Sequence, residues 1–224
     1  MNRTSFLIDG FNLYHSIKDL IRYQNLYVKW LNIGKLCSSY LNLISKDACL
    51  ADIYYFSAFA HHLNAPYVIK RHQDYIECLK STGIISEMAR FKPKDVTCPL
   101  HNQLAKSSTK GIKCPLHGKF IKHEEKETDI AIAARLFEIL YNNKCDTVVL
   151  VTGDTDISPA IKVCKSLFPD KRVLCAFPYR RYNVELKLLL PDSFKIHAKA
   201  YVNHPFPDPV CLPDGRKIYK PVSW

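Results

Sequence analysis

The sequence predicts an α/β fold in which a mainly parallel sheet is covered by helices on both faces. Short apolar runs alternate along the chain with longer segments of helical periodicity, which is the pattern of a doubly wound sheet. The chain has 224 residues, the length of one large domain. Hydrophobic residues make up 47% and charged residues 24%, a balance that allows a sizeable core and excludes wholesale disorder.

Five runs of β-branched, aromatic and other apolar residues are predicted to be strands: 5–8, 52–59, 84–91, 147–151 and 172–177. Helices are predicted between and after them at 13–22, 30–44, 66–81, 129–142, 157–167 and 183–190. In segment 129–142 one apolar face recurs at helical spacing, formed by Ile130, Ala133, Ala134, Phe137, Leu140 and Tyr141. Helices that join successive strands in this way predict parallel strand pairing.

Two segments interrupt this alternation. Residues 92–123 lack apolar periodicity and are rich in Lys, Ser, Thr, Cys and His, which predicts an insertion between a strand and the next helix. Residues 201–224 are rich in proline and form a predicted tail, in which 210–219 reads as a hairpin around Asp214-Gly215. The expected organisation is one domain over 1–200, with the insertion at 92–123, followed by the tail.

Composition also restricts the class of protein. No window approaches the roughly 18 consecutive apolar residues of a membrane span, and the first apolar run is too short for a signal peptide. The nine cysteines are an odd number, so they cannot all pair within the chain. A reducing compartment fits better, and we expect a cytoplasmic protein without a membrane partner.

The chain is basic, with a formal net charge of +11. Residues 90–123 carry eight Lys and Arg residues against the single acid Asp95, and 162–199 carry nine against three acids. Such an excess suits binding to nucleic acid phosphates, but a solvated basic surface that keeps the protein soluble has the same composition. Charge alone leaves both interpretations open.

A tetrapeptide occurs twice within the insertion. Cys98-Pro99-Leu100-His101 is repeated as Cys114-Pro115-Leu116-His117. Each copy places a thiol and an imidazole three residues apart, and two such pairs match the tetrahedral ligand set of a structural zinc ion. A loop so poor in apolar residues would gain its folding energy from the metal. We therefore predict a zinc site formed by Cys98, His101, Cys114 and His117.

Acidic residues stand directly after two of the predicted strands. Asp9 follows the first strand, and Asp154 and Asp156 follow the strand 147–151. In open α/β sheets the carboxyl ends of the strands form the crevice that binds ligands. Asp129 begins the helix that leads to that second strand and would reach the crevice if the helix start curls over the sheet edge. Converging carboxylates are suitable ligands for Mg²⁺ or Mn²⁺. Metal-dependent nucleases use such an arrangement.

Each acid also has a structural interpretation. Asp156 fits the N-cap of the following helix, which has Pro159 in its first turn. Asp129 fits a favourable interaction with its own helix dipole, and Asp9 before Gly10 fits turn chemistry. Three acids at the ends of two strands on a basic protein favour the functional interpretation.

At these positions the chain resembles a known family. The stretches 7–13 (LIDGFNL), 124–133 (EEKETDIAIA) and 151–159 (VTGDTDISP) resemble, in this order, the three motifs of NYN domains. The resemblance is closest to the LabA-like branch, which belongs to the PIN-like nuclease superfamily, and it spans about residues 4–178. Members of that branch often have glycine where this chain has Glu127. The resemblance implies a three-layer α/β/α sandwich that holds one or two divalent metals and cuts RNA.

The resemblance also assigns residue roles. It implies metal binding by Asp9, Asp129, Asp154 and Asp156, a supporting polar role for Asn12, and a hydroxyl contact by Thr152. On this basis we expect a Mg²⁺- or Mn²⁺-dependent endoribonuclease with RNA, or alternatively single-stranded DNA, as its partner. Phosphate contacts are expected from Arg90, Lys92, Lys94, Arg180 and Arg181. The competing hypothesis is an RNA-binding regulatory module that keeps the fold and the zinc site with little or no catalysis.

Two features carry more than one interpretation. Four aromatic residues at strand positions fit either the core or base stacking, with the core favoured: Tyr54, Tyr55, Phe91 and Phe120. The tail fits a homodimer arm, a docking strand or a lid. A haloacid dehalogenase phosphatase is disfavoured because Phe11 stands where its general acid would be.

Overall fold

A computed structural model describes residues 1–97 and 119–224. Seven strands form the central sheet, in the order β4-β3-β2-β1-β5-β6-β7. The strands are β1 (Asn2–Asp9), β2 (Ala48–Ala58), β3 (Ile85–Thr97), β4 (Lys119–Lys126), β5 (Thr147–Val151), β6 (Arg172–Phe177) and β7 (Phe194–Lys195). Every neighbouring pair is parallel except β3 and β4, which are antiparallel. The predicted α/β fold with a mainly parallel sheet is confirmed.

Helices cover both faces of this sheet. They are α1 (Gly10–Gln24), α2 (Ile33–Ser38), α3 (Leu41–Ile44), α4 (Pro66–Ser81), α5 (Thr128–Tyr141), α6 (Ser158–Leu167), α7 (Val184–Leu189) and α8 (Ala198–Asn203). Short 3₁₀ turns occupy His61–Leu63 and Thr155–Ile157. Among the described residues, no helix has both the length and the apolar character that crossing a bilayer requires.

Alternation along the central strands divides the core into two layers. In β1, Phe6 and Ile8 pack on the side of α1, α2 and α4, whereas Leu7 packs on the side of α5, α6 and α7. All five residues of β5 are buried, as expected for a strand that is covered on both faces. The cysteines at 78, 145, 164 and 175 are buried in these layers, at positions where a small apolar side chain fits.

The predicted helix over 30–44 is wrong as a single element. Asn32 accepts a hydrogen bond from the Lys35 backbone N–H and thereby caps α2, so the helix begins only at Ile33. A turn at 39–40 then separates α2 from α3. Trp30 and Leu31 instead run alongside the tail, where the Phe206 N–H donates to the Trp30 carbonyl at 2.8 Å.

The edge of the sheet contains a strand that the sequence analysis did not identify. β3 continues past residue 91 to Thr97, and β4 returns beside it from Lys119 to Lys126. Charged residues are frequent along residues 92–97 and 119–126, so these parts of the two strands show little of the apolar periodicity that predicts a strand. The strands therefore occupy both ends of the segment predicted as a loop insertion.

The tail packs on the α1 side of the sheet. Phe206, Val210 and Leu212 are buried in that layer, and the predicted hairpin forms as β8 (Val210–Cys211) and β9 (Lys217–Ile218). Trp30 Nε1 donates to the Pro207 carbonyl at 3.0 Å. These contacts make the tail part of the folded core.

Candidate metal and catalytic centre

The candidate site lies where the strand order reverses. β2 and β3 follow β1 on one side, and β5 and β6 lie on the other, so the carboxyl ends of β1 and β5 flank the switch point of the sheet. Such switch points open a crevice at the carboxyl ends of the strands, where ligands bind in this class of fold. Asp9 is the last residue of β1, and Thr152 follows β5 directly.

Asp9 is buried, at 5% exposure, and both of its carboxylate oxygens accept hydrogen bonds. Oδ1 accepts from the Asn12 backbone N–H at 2.9 Å, which makes Asp9 the N-cap of α1. Oδ2 accepts from the Thr152 hydroxyl at 2.9 Å. Each oxygen keeps a second lone pair, so these bonds orient the carboxylate without using up its capacity as a ligand.

Asn12 and Thr152 extend this network to the loop after β5. The Gly153 N–H donates to Asn12 Oδ1 at 3.1 Å, and the Asp154 N–H donates to the Thr152 hydroxyl at 3.1 Å. The side chains that the resemblance assigned to supporting roles therefore link the end of β1 to the end of β5.

Two glycines allow this close approach. A Cβ atom at Gly153 would lie 1.9 Å from the Arg181 carbonyl oxygen. A Cβ atom at Gly10 would lie 2.5 Å from the Phe56 carbonyl oxygen. Any larger residue at these positions would push the loop away from its neighbours.

The acids after β5 begin a 3₁₀ turn. Asp154 caps this turn by accepting from the Asp156 N–H at 3.1 Å, and Asp156 itself is exposed. The interpretation of Asp156 as a helix N-cap is wrong, because α6 begins at Ser158 and the preceding residue, Ile157, makes no side-chain cap bond. The carboxylate of Asp156 is left facing solvent.

The remaining acids lie at the β4–α5 junction. Asp129 is in the first turn of α5, where partial burial and then the charges of Asp154 and Asp156 raise its pKa. Glu125 precedes it on β4, accepts a hydrogen bond from the Thr128 hydroxyl, and has a pKa raised by burial and by Asp129. Charge interactions therefore link Asp129 to Asp154, Asp156 and Glu125, and link Asp9 to Glu125 and Asp129; these five acids are called the acidic cluster.

Glu125 was missed by the sequence analysis because β4 was not recognised. Read with the two-residue period of a strand, β4 places Glu125 and His123 on one face and Glu124 and Lys126 on the other. Glu125 is paired with Phe91 of β3, on the face toward the cluster. Residues 119–126 (KFIKHEEK) show no regular apolar alternation, so no local pattern in the sequence marks Glu125.

Among the acids of this cluster, Asp9 has the most strongly shifted pKa. Burial raises the pKa of Asp9 to about 6, the hydrogen bonds from Asn12 and Thr152 oppose this, and the charges of Glu125 and Asp129 add to it. Within the described residues, no three or more His, Cys, Asp or Glu side chains already form a group that could hold a metal ion. The carboxylates are close enough to perturb one another, and their oxygen donors suit a hard cation that would relieve their repulsion.

The approach to Asp129 contains an uncommon backbone conformation. Glu127 has φ of 82°, in the left-handed region that favours glycine. Glycine adopts this conformation without strain, and the turn lets α5 start at the next residue. In this chain the Glu127 carboxylate binds Arg90, with an N–O distance of 2.6 Å.

The basic residues predicted to contact phosphate are largely paired with acids. Arg90 and Lys92 bind Glu127, and Lys94 binds Glu124 at 3.1 Å. Arg181 binds Asp19, with an N–O distance of 2.5 Å. Arg180 lies over the Tyr23 ring, 4.1 Å from its centroid. Phosphate contacts by the paired residues would require exchange of these partners.

The predicted zinc ligands Cys98, His101, Cys114 and His117 lie outside the described residues. Of the aromatic residues considered for base stacking, Tyr54 and Tyr55 are buried in the core. Phe91 is partly exposed and lines a cavity beside α1.

Comparison with known proteins gives the family. Residues 3–175 match the NYN domain family. A crystal structure of a protein of unknown function from Vibrio parahaemolyticus is similar in fold, with 17% sequence identity, a TM-score of 0.51, and coverage of 88% of this chain and 94% of that one. No curated protein matches the sequence. Since the family match covers most of the chain, the protein belongs to the NYN domain family of the PIN-like nuclease superfamily.

Proposed function

We propose that the protein is a Mg²⁺- or Mn²⁺-dependent endoribonuclease whose catalytic acids are Asp9, Asp129, Asp154 and Asp156. One observation carries the proposal. The buried Asp9 carboxylate is held by Asn12 and Thr152 in a position where its pKa is raised to about 6. A carboxylate whose ionised form is disfavoured by burial and by neighbouring acids is typical of a site that functions with a bound cation.

The chain supplies oxygen ligands from three elements. Asp9 comes from the end of β1, Asp154 and Asp156 from the turn after β5, and Asp129 from the start of α5. Asp9 and Asp154 are oriented by hydrogen bonds, whereas Asp129 and Asp156 are more exposed and can adjust to a ligand. We add Glu125 to this set, as a ligand directly or through water.

A divalent cation bound by these oxygens would lower the pKa of a water ligand and neutralise charge on the scissile phosphate. Asn12 Oδ1 is engaged by Gly153 N–H, so its Nδ2 group stays available to donate to a phosphate oxygen. Hydrolysis adds the water oxygen to phosphorus and a proton to the departing 3′ oxygen, which leaves 5′-phosphate and 3′-hydroxyl ends.

Several finer assignments belong to the same proposal. Membership of the LabA-like branch rests on the three motif sequences, and a structural zinc ion on Cys98, His101, Cys114 and His117. RNA contacts are assigned to Arg90, Lys92, Lys94, Arg180 and Arg181, and single-stranded DNA is the alternative polymer. Cytoplasmic location and a homodimer formed through the tail stay predictions.

The experiment is a cleavage assay on protein freed of loosely bound metal. Labelled single-stranded RNA, duplex RNA and single-stranded DNA are incubated with and without Mn²⁺ or Mg²⁺. We expect metal-dependent internal cleavage of RNA, reduced about a hundredfold or more by Asp154→Asn.

Asp170→Asn is the matched control, because Asp170 is an exposed acid in the turn before β6. Cleavage that survives in folded Asp154→Asn would refute the assignment of the site. Salt-sensitive RNA binding without cleavage under any metal would instead support the regulatory module.

A further inference from the structure

A cavity of about 430 Å³ lies beside the acidic cluster, between α1, the 3₁₀ turn at His61–Leu63, α4 and the β3–β4 arm. This volume is within the roughly 300–1,000 Å³ of typical small-ligand sites. Its walls include Gly10, which follows Asp9, and Phe91, which is paired with Glu125. The cavity therefore adjoins the proposed catalytic site, because Gly10 is the chain neighbour of Asp9 and Phe91 is the cross-strand neighbour of Glu125.

Four of the aromatic rings that line the cavity form a continuous row. The ring centroids of Phe11 and Phe91 are 6.3 Å apart, those of Phe91 and His62 are 4.6 Å apart, and those of His62 and His123 are 4.5 Å apart. The His62 and His123 rings are nearly parallel, at 11°. Rings on partly exposed elements offer a surface on which a flat ligand can stack.

Positive charge lies in the same cavity. Lys29 and Arg71 both line it, and among the described residues neither forms a salt bridge. Burial lowers the pKa of Lys29, and the charges of Arg71 and Lys18 lower it further. Arg71 Nε is buried and has no hydrogen-bond partner within residues 1–97 and 119–224, whereas Arg71 Nη1 donates to the Ser223 hydroxyl. These unneutralised cations match an anionic ligand.

We propose that this cavity binds one nucleotide unit, with its base stacked on the aromatic row and its phosphate held by Arg71 and Lys29. A nucleotide combines the flat ring and the negative charge that these walls accommodate. The inference rests on the proposed function, because the nucleotide would be one unit of a bound RNA. The next phosphodiester of that RNA would then lie toward the carboxylates. A free mononucleotide has the same chemistry and is the other source.

The test is a fluorescence titration without added divalent metal. Trp224 lines the cavity and is one of only two tryptophans in the chain, so ligand binding should alter the emission. The probes are the four nucleoside 5′-monophosphates, inorganic phosphate and a short single-stranded RNA. The variants are His62→Ala, which removes a stacking ring, and Arg71→Ala, which removes a cation.

Lys162→Ala and Tyr141→Ala are the matched controls, because both side chains are exposed on helices that cover the opposite face of the sheet. We expect each cavity variant to weaken nucleotide or RNA binding about tenfold or more and the controls to change it less than about twofold. If mononucleotides bind, a free nucleotide is sufficient to occupy the cavity. If the variants lose affinity only for RNA, the cavity binds a nucleotide as one unit of the polymer.

Two results would overturn the proposal. The first is unchanged affinity of folded His62→Ala and Arg71→Ala for every probe. The second is equal binding of phosphate and mononucleotides, which would leave only an anion site. Binding that depends on His62, together with no RNA cleavage under any metal, would retain the nucleotide site and refute only the nuclease.

Discussion

The Thr152 hydroxyl donates to Asp9 Oδ2 at 2.9 Å and accepts from the Asp154 N–H at 3.1 Å. One side chain thus fixes an acid at the end of β1 and the backbone of an acid after β5. Because β1 and β5 are adjacent parallel strands, their carboxyl ends are held in register by the sheet itself. The geometry of the candidate site is therefore set mainly by the most buried part of the fold.

The burial of Asp9 predicts a gain in stability when its charge is removed. An increase in pKa from 3.8 to about 6 means that the folded state binds this proton more tightly than the unfolded chain. Ionisation of Asp9 therefore destabilises the fold as pH rises through that range. Without divalent cations, Asp9→Asn should raise the free energy of unfolding by about 1–3 kcal/mol near neutral pH.

Denaturant unfolding measured from pH 4 to pH 8 checks this prediction. The gain should shrink as pH falls through about 6 toward 4, because the carboxyl group is then protonated in the folded state and becomes progressively protonated in the unfolded chain as well. Asp170→Asn, at an exposed position, should show no such pH-dependent gain. A wild-type protein as stable as Asp9→Asn at pH 8 would contradict the assigned environment of Asp9.

Neighbouring acids on β4 allow a sharp test of Glu125. Glu125 lies on the face of the cluster, whereas Glu124 lies on the other face and binds Lys94 and Lys126. We expect Glu125→Gln to reduce metal-dependent RNA cleavage about tenfold or more and Glu124→Gln to change it little. Single-turnover rates with circular dichroism of both variants provide the measurement, and equal rates would remove Glu125 from the site.

The close contact at Gly153 predicts that adding a single methyl group there strongly lowers the free energy of unfolding. The Cβ atom of Gly153→Ala would lie 1.9 Å from the Arg181 carbonyl oxygen, so either the loop or the Arg181 segment must move. We expect a loss of about 3 kcal/mol in the free energy of unfolding and a loss of cleavage. Gly34→Ala is the control, since its Cβ would meet its nearest neighbour, Asn32 Oδ1, at an ordinary 3.4 Å. Thermal unfolding that is unchanged in Gly153→Ala would show that the loop is not held as described.

The ion pairs at Glu127 predict a variant with higher RNA affinity. Glu127 binds Arg90 at 2.6 Å and Lys92 at 3.3 Å, which occupies two of the cations assigned to phosphate contact. Glu127→Gln keeps the shape of the side chain and frees both cations, so RNA affinity at low salt should rise severalfold. Filter binding across a salt series measures this effect. If the affinity is unchanged while Arg90→Ala is also without effect, the arm does not contact RNA.

The sequence predicted the central part of the fold well, and the reasons are local. Strands at 147–151 and 172–177 and the helix at 66–81 coincide with β5, β6 and α4, because each is an uninterrupted apolar run or a strongly periodic helix. β4 was missed because its contacts are made with one charged partner strand and not with the core. The single helix predicted over 30–44 was wrong because the cap at Asn32 starts the helix later and the contacts with the tail hold Trp30 and Leu31 outside it.

The candidate site was predictable to the extent that it depends on strand ends. Asp9 and Asp154 follow adjacent parallel strands, so the sequence predicts that both lie at one edge of the sheet, and there the Thr152 hydroxyl connects the Asp9 carboxylate to the Asp154 backbone. Glu125 could not be found without β4, and the ion pair of Arg90 with Glu127 joins residues that lie 37 positions apart in the sequence. Local patterns do not encode which distant charges will meet.

The central claim is that the carboxylates at the ends of β1 and β5 and at the start of α5 form one divalent-cation site. Electron paramagnetic resonance of free Mn²⁺ during titration measures this binding directly. The account predicts saturable binding to the wild-type protein that weakens about tenfold or more in Asp154→Asn and in Asp129→Asn and is retained in Asp170→Asn. Equal Mn²⁺ affinity in all four proteins would contradict it.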